Sequence, residues 1–524
     1  MVQVIDPKVT VLNVGPEHTT PGGLHIGPDA FVWGAAQITY KDSGALRELI
    51  DVRASQGGFE EKLRSALIAI AGAGHASMAT TPGLWTYFEG NCSKFVDSMF
   101  TGIRFGSSLM PSGRRVPIAE DQILVPKSIV DAGKTETDMY MEASRKNIQA
   151  YEKVQEVIPK QEASKIVQYG HRGGGFLFLP LETIINLSID AERDMEATPR
   201  EAFQILDQLR EQIHQKGMGN TYEARMAAPR TGVPNPTIFH RRENLATEVI
   251  NENRGGVLDK PVLLSSSFVG SNELNLRISN FLSEREDIFE DPERIANEWE
   301  GLLYDLDAIV QDFDPAVNVV TATNTPWRVW GEVKRHRTMP QNVEGVYHAA
   351  QRALDLIKEE PSGIYDFQRM RQVVSIPPGL YKSPEHLELW MERFADSLLT
   401  YEALVQMGVP ESDATAVIPR GLKVGIVKQY GLYNLTTGYM SLRLCNSAEP
   451  EMKATTEEEV GLIMCSESLP ELVEELMVPK CGFTGFCPEK KTCKHILEFD
   501  PTYDGARHKL LAEQRTEEIR TRLL

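Results

Sequence analysis

The chain has 524 residues, of which 41% are hydrophobic and 25% charged, and its formal net charge at pH 7 is −19. This length exceeds what a single hydrophobic core supports and predicts two or more domains. The acidic balance disfavours nonspecific binding to a nucleic acid polymer, and no apolar run approaches the ~18–20 residues of a membrane span. The N-terminal sequence lacks the build of a signal peptide, so we expect a cytoplasmic protein.

The first half of the chain predicts three helices and a glycine-rich segment. Apolar residues at helical spacing predict a helix over 59–71. An aromatic, Gly- and Ser-rich segment, 75–115, comes next, and a second helix is predicted from about Glu136. A Thr-Pro-Arg-Glu run that begins at Thr198 has the form of a capping box with proline in the first turn, which predicts the start of a third helix.

The second half repeats this order after a polar stretch between Asn244 and Lys260, where Ser383 opens another predicted helix. We therefore predict an α+β (mixed α/β) protein of two tandem modules, residues 1–245 and 255–524. Each module is expected to be a mixed sheet with long packed helices. An internal duplication explains the repeated order most simply, and two unrelated α/β domains with chance matches are the alternative.

A basic segment in the second half has the chemistry of a phosphate site. It contains Arg335, His336, Arg337 and, five residues on, Asn342. Guanidinium groups bind phosphate oxygens in a bidentate fork, and an imidazole adds a donor, so the segment suits a bound diphosphate. The alternative is a solvated basic patch on a surface helix.

A segment in the first half has a second anion-binding composition. Arg104 and Ser107 precede Ser112, Gly113 and Arg114. Glycine lets backbone N–H groups approach a ligand, serine donates a hydroxyl and arginine supplies charge. An ordinary Gly/Ser turn with solvated arginines is the alternative.

Overlaid, these two segments resemble one signature, RHRxxSxNExSxRY, of the flavin-dependent thymidylate synthases. The second-half segment fills the Arg-His-Arg and Asn positions, and the first-half segment fills the third Arg, both Ser and the last Arg. In the second half the Ser, Glu, Ser, Arg and Tyr positions are instead occupied by Pro340, Val343, Gly345, Tyr347 and His348. The signature is therefore divided between the halves, and its Glu is missing from both.

The resemblance implies roles for particular residues. The implied substrate-binding residues are Ser112, Gly113, Arg114, Arg335, Lys165 and Arg443. The implied flavin-binding residues are His75, Arg335, His336, Arg337 and Asn342. The implied catalytic residues are Ser112, Arg193 and Arg443. Either of the two last arginines would stabilise negative charge that develops on a pyrimidine ring, although a helix-end salt bridge is the alternative for both. Lys165 stands where the family has an arginine, and lysine supplies charge without the planar fork.

The resemblance also implies an activity. NADPH would reduce FAD, and methylenetetrahydrofolate would deliver a carbon to C5 of dUMP to give dTMP. The resemblance also implies a homodimer of tandem chains, which would have the same number of modules as the family's tetramer. The missing signature residues leave two alternatives open. One is a related flavin-dependent one-carbon transfer, such as hydroxymethylation of dUMP or dCMP, and the other is a non-catalytic nucleotide- or flavin-binding paralogue.

Three cysteines and a histidine cluster near the C-terminus: Cys481, Cys487, Cys493 and His495. Three thiolates and an imidazole complete a tetrahedral zinc site, so we predict a structural zinc here. The spacing is not that of a standard zinc finger, and separate reduced thiols are the alternative.

Overall fold

The computed structural model describes residues 2–38, 46–72, 77–111, 118–228, 235–252, 258–270, 272–359, 363–466, 468–487, 489 and 492–523. The chain forms two compact units. Unit 1 consists of Met1–Arg242, Pro326–Arg335 and Gly345–Lys423, and unit 2 of Glu243–Thr325, His336–Glu344 and Val424–Leu524. The units are therefore interleaved along the sequence, whereas two consecutive modules, 1–245 and 255–524, were predicted.

Unit 1 is built on an antiparallel sheet. Its strands are β1 (Asp6–Gly15), β2 (His18–Thr19), β3 (His25–Ile26), β4 (Gly83–Asn91), β5 (Ser107–Leu109) and β6 (Gly175–Pro180). Four of them form the sheet in the order β1-β4-β6-β5, and β2 pairs separately with β3. The β1–β4 register is irregular between Val11 and Asn13, as at a β-bulge.

Alternation along β4 explains why one face of this sheet is buried. Leu84 and Phe88 point into the core, whereas Trp85 and Tyr87 between them are exposed. On the outer face the Trp85 ring lies 4.7 Å from the Phe178 ring of β6, centroid to centroid. The inner face packs against helices of the same unit.

The helices of unit 1 include two that pack lengthwise. They are Pro28–Ile38, Leu46–Ala54, Phe59–Gly72, Ser77–Thr80, Phe95–Met99, Lys127–Ala132, Lys134–Val154, Lys160–Ala163, Leu181–Arg193, Arg200–Gln215, Gly219–Ala227, Trp327–Val333, Val346–Lys358, Phe367–Val373, Pro384–Gln406 and Glu411–Ala414. Lys134–Val154 packs on Pro384–Gln406, where Asn147 Nδ2 donates to Ser397 Oγ at 2.9 Å. This contact binds the segment Gly345–Lys423 to the first part of the chain.

Buried aromatic contacts bind the other inserted segment, Pro326–Arg335, to unit 1. The Trp327 ring stacks on Tyr169 with centroids 3.9 Å apart, and Trp327 Nε1 donates to Ser98 Oγ at 2.9 Å. Both Trp327 and Trp330 are fully buried. Burial of two indole side chains makes this short segment part of the core.

Unit 2 has its own four-stranded sheet. Its strands are β7 (Val262–Phe268), β8 (Val317–Pro326), β9 (Gln341–Val343) and β10 (Lys423–Tyr430), in the order β7-β8-β10-β9. Its helices are Leu245–Glu252, Glu273–Phe289, Pro292–Phe313, Met440–Arg443, Pro450–Met464, Cys481–Thr484, Ile496–Phe499 and Gly505–Leu523. A small core forms where Ala246 and Ile250 meet Ala322 and Val427.

The two sheets share one strand order: first, second, fourth, third. They also share a register shift between the first two strands, which in unit 2 falls between Leu263 and Ser265. The mixed α/β class is confirmed. In the part of the chain that the structure describes, no helix is long and apolar enough to cross a membrane.

Two predicted helix starts had different outcomes. The helix at Ser383 is confirmed and spans Pro384–Gln406. The capping box at Thr198 does not form, although a helix does begin at Arg200. Thr198 Oγ1 donates to the Asp194 carbonyl instead, and the carboxylate of Asp413 accepts from Arg200 N at 3.0 Å. A tertiary cap therefore replaces the local one, because the Glu201 side chain is engaged elsewhere in unit 1.

Candidate functional site

The basic segment of unit 2 leads into the edge strand β9. There Asn342 Oδ1 accepts from Ala246 N at 2.9 Å, and Asn244 Nδ2 donates to the Val343 carbonyl at 2.8 Å. The Asn342 side chain thus holds the first turn of the helix Leu245–Glu252 against β9. Asn342 therefore has a structural role. Its predicted contact with flavin stays a prediction.

Two of the predicted site residues meet directly in unit 2. Arg443 Nε and Nη2 lie 3.0 and 2.7 Å from His336 Nε2, so the guanidinium donates to the imidazole. Arg443 ends the short helix Met440–Arg443, which follows a π-helical turn over Asn434–Gly438. Such turns are frequent at functional sites. The sequence motif and the distant arginine therefore form one hydrogen-bonded pair.

His336 is neutral in this pair. Burial, together with the adjacent Arg443 guanidinium, lowers the pKa of His336 to about 3, against the opposing effect of a hydrogen bond to the Gly438 backbone. A neutral imidazole with one accepting nitrogen suits an arginine donor. The His336 ring is thus engaged by Arg443 and by the Gly438 backbone, and its predicted contact with flavin stays a prediction.

Tyr439 packs against the His336 imidazole, and Tyr430 and a buried ion pair lie next to Tyr439. The His336 ring meets the Tyr439 ring edge-on, with centroids 4.9 Å apart, and Tyr439 packs on Tyr430 at 5.6 Å. Lys428 Nζ lies 2.6 Å from Glu459 Oε2, and both side chains are buried. Tyr430 Oη donates to the same carboxylate at 3.0 Å.

Lys428 stays protonated inside the protein. Burial alone would lower the pKa of Lys428, but the Glu459 carboxylate and Tyr439 bring it above its ordinary value. Sequence reasoning missed Lys428, Tyr439 and Glu459. The available signal was Lys428, which is a charged residue in the apolar run of β10, because a buried lysine requires a partner.

The flanking arginines differ in exposure. Arg335 is exposed, and Arg337 is half-buried in unit 2. Each guanidinium has the donor geometry that a phosphate ligand requires. Their predicted flavin contacts are not tested by this structure and stay predictions.

Unit 1 has a separate cavity next to Arg193. It encloses about 370 Å³, with Phe100, Ile103 and Leu206 among its apolar walls and Arg193 and Arg242 among its polar ones. Arg193 is exposed, and its Nη1 lies 4.0 Å from Asp190 Oδ1, at the limit of an ion pair. The helix-end salt bridge that was the alternative for this residue is thus present in a weak form.

Of the other predicted site residues of the first half, one is buried and the rest lie outside the described residues. Lys165 is fully buried in unit 1, which disfavours direct contact with a substrate. Ser112, Gly113, Arg114 and His75 lie outside the described residues. Their roles stay predictions.

The predicted zinc ligands do not form a site for a single ion. Among the residues that the structure describes, no three or more His, Cys, Asp or Glu side chains form a group that could hold a metal ion. His495 Nδ1 lies 3.1 Å from Glu498 Oε1, so one ring nitrogen is occupied. Cys481, Cys487 and Cys493 do, however, line one cavity together with Cys445, which sequence reasoning missed.

The part of the chain that contains the His336–Arg443 pair matches a known family. Residues 314–465 match the sequence model described as "Thymidylate synthase complementing protein". A flavin-dependent thymidylate synthase from Thermococcus onnurineus (strain NA1) is 29% identical over 115 residues, which are 22% of this chain and 46% of that protein. One from Pyrococcus abyssi (strain GE5 / Orsay) is 25% identical over 125 residues, 24% of this chain and 51% of that protein. The chain thus spans about half the length of the curated relatives that it matches.

Among solved structures, a UMP/dUMP methylase, PolB, from Streptomyces cacaoi bound with 5-Br dUMP aligns with 44% of this chain and all of its own. The identity is 13% and the TM-score 0.34, a likeness that supports no conclusion about activity.

The sheets and helices define a mixed α/β protein, and the segment with the basic motif defines its family. Residues 314–465 of this chain are similar to the flavin-dependent thymidylate synthase family. The resemblance of the second-half segment to this family is confirmed, and the division of the signature between the two halves stays a prediction.

Proposed function

We propose that the protein is a flavin-dependent methyltransferase that converts dUMP to dTMP. FAD would be its cofactor, and NADPH and methylenetetrahydrofolate its co-substrates. The observation that carries the proposal is the His336–Arg443 pair within the family-matched segment, since the arginine that the family resemblance assigns to the pyrimidine ring is held by the histidine of the motif.

The residues of this chain fit the chemistry of such a ligand pair. Arg337 is a half-buried guanidinium beside His336 in sequence, and an arginine there binds phosphate oxygens bidentately. Bound FAD would supply the redox chemistry of the transfer. The predicted roles of Arg335, Arg337 and Asn342 in holding it are part of the proposal.

Arg443 would act on the pyrimidine. Its charge and N–H donors would stabilise negative charge that develops on a ring oxygen when the ring is activated for the transfer. His336 would fix the angle of the guanidinium, and its low pKa would keep it an acceptor throughout the pH range of the reaction. Fixing the donor before the reaction avoids reorganisation during it.

The test is product analysis. The purified chain, loaded with FAD, is incubated with dUMP, methylenetetrahydrofolate and NADPH, and nucleotides are identified by mass spectrometry. We expect dTMP from the unaltered chain and none from Arg337→Ala or Ser112→Ala. The matched control is Arg294→Ala, which removes an exposed arginine of unit 2 and should leave product formation unchanged.

The same experiment separates the alternatives. A hydroxymethylated product from dUMP or dCMP would replace this proposal by the related one-carbon transfer. Binding of FAD and nucleotide with no product under any co-substrate combination would indicate the non-catalytic paralogue. A chain that binds neither would refute all three.

The predicted homodimer of tandem chains remains part of the proposal. It is supported by the shared strand order of the two sheets, which is what an internal duplication would leave behind. Light scattering of the FAD-loaded chain measures the oligomer directly, and a monomer with full activity would contradict the dimer.

A further inference from the structure

A cavity in unit 2 is lined by four cysteines that the proposed reaction does not use. They are Cys445, Cys481, Cys487 and Cys493, and we call the space between them the thiol cavity. Cys481 and Cys487 are buried, Cys445 and Cys493 are half-buried, and all four are free thiols. Cys445 lies 36 residues before Cys481 in the sequence, so it is the fold that brings these two cysteines to the same cavity.

The thiol cavity is larger than a single ion requires. It encloses about 70 Å³, whereas one water needs roughly 10–15 Å³. Where the described residues are concerned, no group of side chains is arranged to hold one metal ion. Four cysteines that line one space, with no three of them arranged to hold a single ion, suit a ligand that consists of several atoms.

Hydrogen bonds reach two of the four cysteines. Cys445 Sγ accepts from Ser447 Oγ at 3.3 Å and from Ser447 N at 3.5 Å. The Glu489 backbone hydrogen-bonds Cys487. Such N–H···S and O–H···S bonds are among the features that tune metal–sulfur centres.

The cysteines also interact electrostatically with one another. Cys487, Cys493 and Cys445 all lie close enough to Cys481 to act on its thiol. Metal coordination would convert these neighbouring thiols to thiolates, because a coordinating thiol loses its proton outright.

We propose that Cys445, Cys481, Cys487 and Cys493 bind an iron–sulfur cluster in the thiol cavity. Four cysteine thiolates are the usual ligand set of both [2Fe–2S] and [4Fe–4S] clusters. His495 also lines the cavity, but the four cysteines already complete the ligand set of such a cluster without it. This inference does not depend on the proposed methyltransferase activity.

The test is a metal and sulfide analysis of the full chain. The protein is purified without oxygen, and a second sample is reconstituted with ferrous iron and sulfide. We expect iron and acid-labile sulfide in equal amounts, about two or about four of each per chain. Because flavin also absorbs visible light, electron paramagnetic resonance of the reduced protein at low temperature identifies the cluster.

Variants identify the ligands. Cys445→Ser should lose the iron and sulfide. The matched control Cys465→Ser alters an exposed cysteine that does not line the cavity, and it should keep both, as should His495→Gln. Loss of iron from His495→Gln, or full retention in Cys445→Ser, would overturn the ligand assignment.

A further measurement serves if Cys445→Ser does not fold. In the unaltered chain, peptide-resolved alkylation should leave the four cavity cysteines protected until a chelator removes the iron, while Cys465 reacts from the start. Zinc alone at about one per chain, or no metal after reconstitution, would refute the cluster. Equal alkylation of Cys465 and the four cavity cysteines would refute it as well.

Discussion

The most informative single residue is His336, because its position changes the meaning of the basic motif. A histidine between two arginines was predicted to bind a diphosphate. In the structure its ring accepts from Arg443 and contacts Tyr439. The sequence indicated the right segment, but it could not show that the imidazole faces inward, since its partner lies over a hundred residues away.

Removal of the His336 imidazole should reduce activity, because it removes the hydrogen bond that orients Arg443. A hydrogen bond to a charged group is worth about 1.5–3 kcal/mol, which corresponds to a factor of about 10–100. We therefore expect His336→Ala to lower kcat/KM for dUMP by that factor. His336→Gln, whose carbonyl can still accept from Arg443, should recover part of the loss. An alanine variant with unchanged kinetics would contradict the orienting role.

Glu201 predicts a pH dependence of stability in unit 1. Its carboxyl is buried and bonded to Ser93 N at 2.7 Å. Burial, with a smaller contribution from Asp413, outweighs the hydrogen bonds from Ser93 and Cys92 and raises the pKa of Glu201 to about 7. The folded state therefore keeps a proton that the unfolded state, with its ordinary pKa near 4.5, has lost. This stabilisation is complete below pH 4.5 and disappears as pH rises through 7.

Substitution of Glu201 by glutamine should remove that dependence. The amide still accepts from Ser93 N and needs no proton, so between pH 5 and 7 the unaltered chain should lose up to about 1.4 kcal/mol per pH unit relative to Glu201→Gln. Urea unfolding at several pH values measures the difference. Glu211→Gln, on the exposed side of the same helix, is the control, and parallel curves for all three proteins would exclude the titration.

At the scale of elements, the sequence predicted the positions of helices better than it predicted the tertiary contacts that those helices make. The periodic segment over 59–71 forms the helix Phe59–Gly72, and the second helix spans Lys134–Val154. Helical spacing is a local property and is visible in one stretch of sequence. The cap of Arg200 by Asp413 and the thiol cavity depend on residues far apart in sequence, so no local pattern records them.

The buried ion pair Lys428–Glu459 should contribute more to the free energy of unfolding than an exposed ion pair of unit 2. Glu459→Gln leaves the Lys428 ammonium buried without a carboxylate, which we expect to cost about 3–5 kcal/mol. The exposed pair Arg294–Glu298, at 2.9 Å, gives the control: Glu298→Gln should cost less than about 1 kcal/mol. Urea unfolding measures both, and similar losses would show that the Lys428 environment is hydrated.

At the scale of the whole molecule, the repeated strand order fits an internal duplication, whereas the compact units do not follow its boundary. The repeat was visible in the sequence as a recurring order of helix starts and arginines. The assignment of Pro326–Arg335 and Gly345–Lys423 to unit 1 was not visible, because it depends on contacts with residues far away in the sequence. What assigns them to unit 1 is the burial of residues such as Trp327 and Trp390.

Fragments cut at the apparent repeat boundary should therefore fail to fold alone. A fragment of residues 1–245 lacks the partners of Tyr169 and Asn147, which are Trp327 and Ser397. We expect it to bind a hydrophobic dye and to lack a cooperative unfolding transition by circular dichroism. Residues 1–423 are the matched comparison, since they include all of unit 1. A fragment 1–245 that unfolds cooperatively would show that the inserted segments are dispensable.

The interleaving has a consequence during synthesis. The chain passes from one unit to the other after residues 242, 325, 335, 344 and 423. A ribosome that has completed the first half has therefore not yet made the side chains that close that half's interior. The part of unit 1 that is made first therefore keeps apolar surface exposed until residue 423 has been synthesised. Slow translation or a missing chaperone would therefore impair the folding of unit 1, although most of its residues are synthesised early.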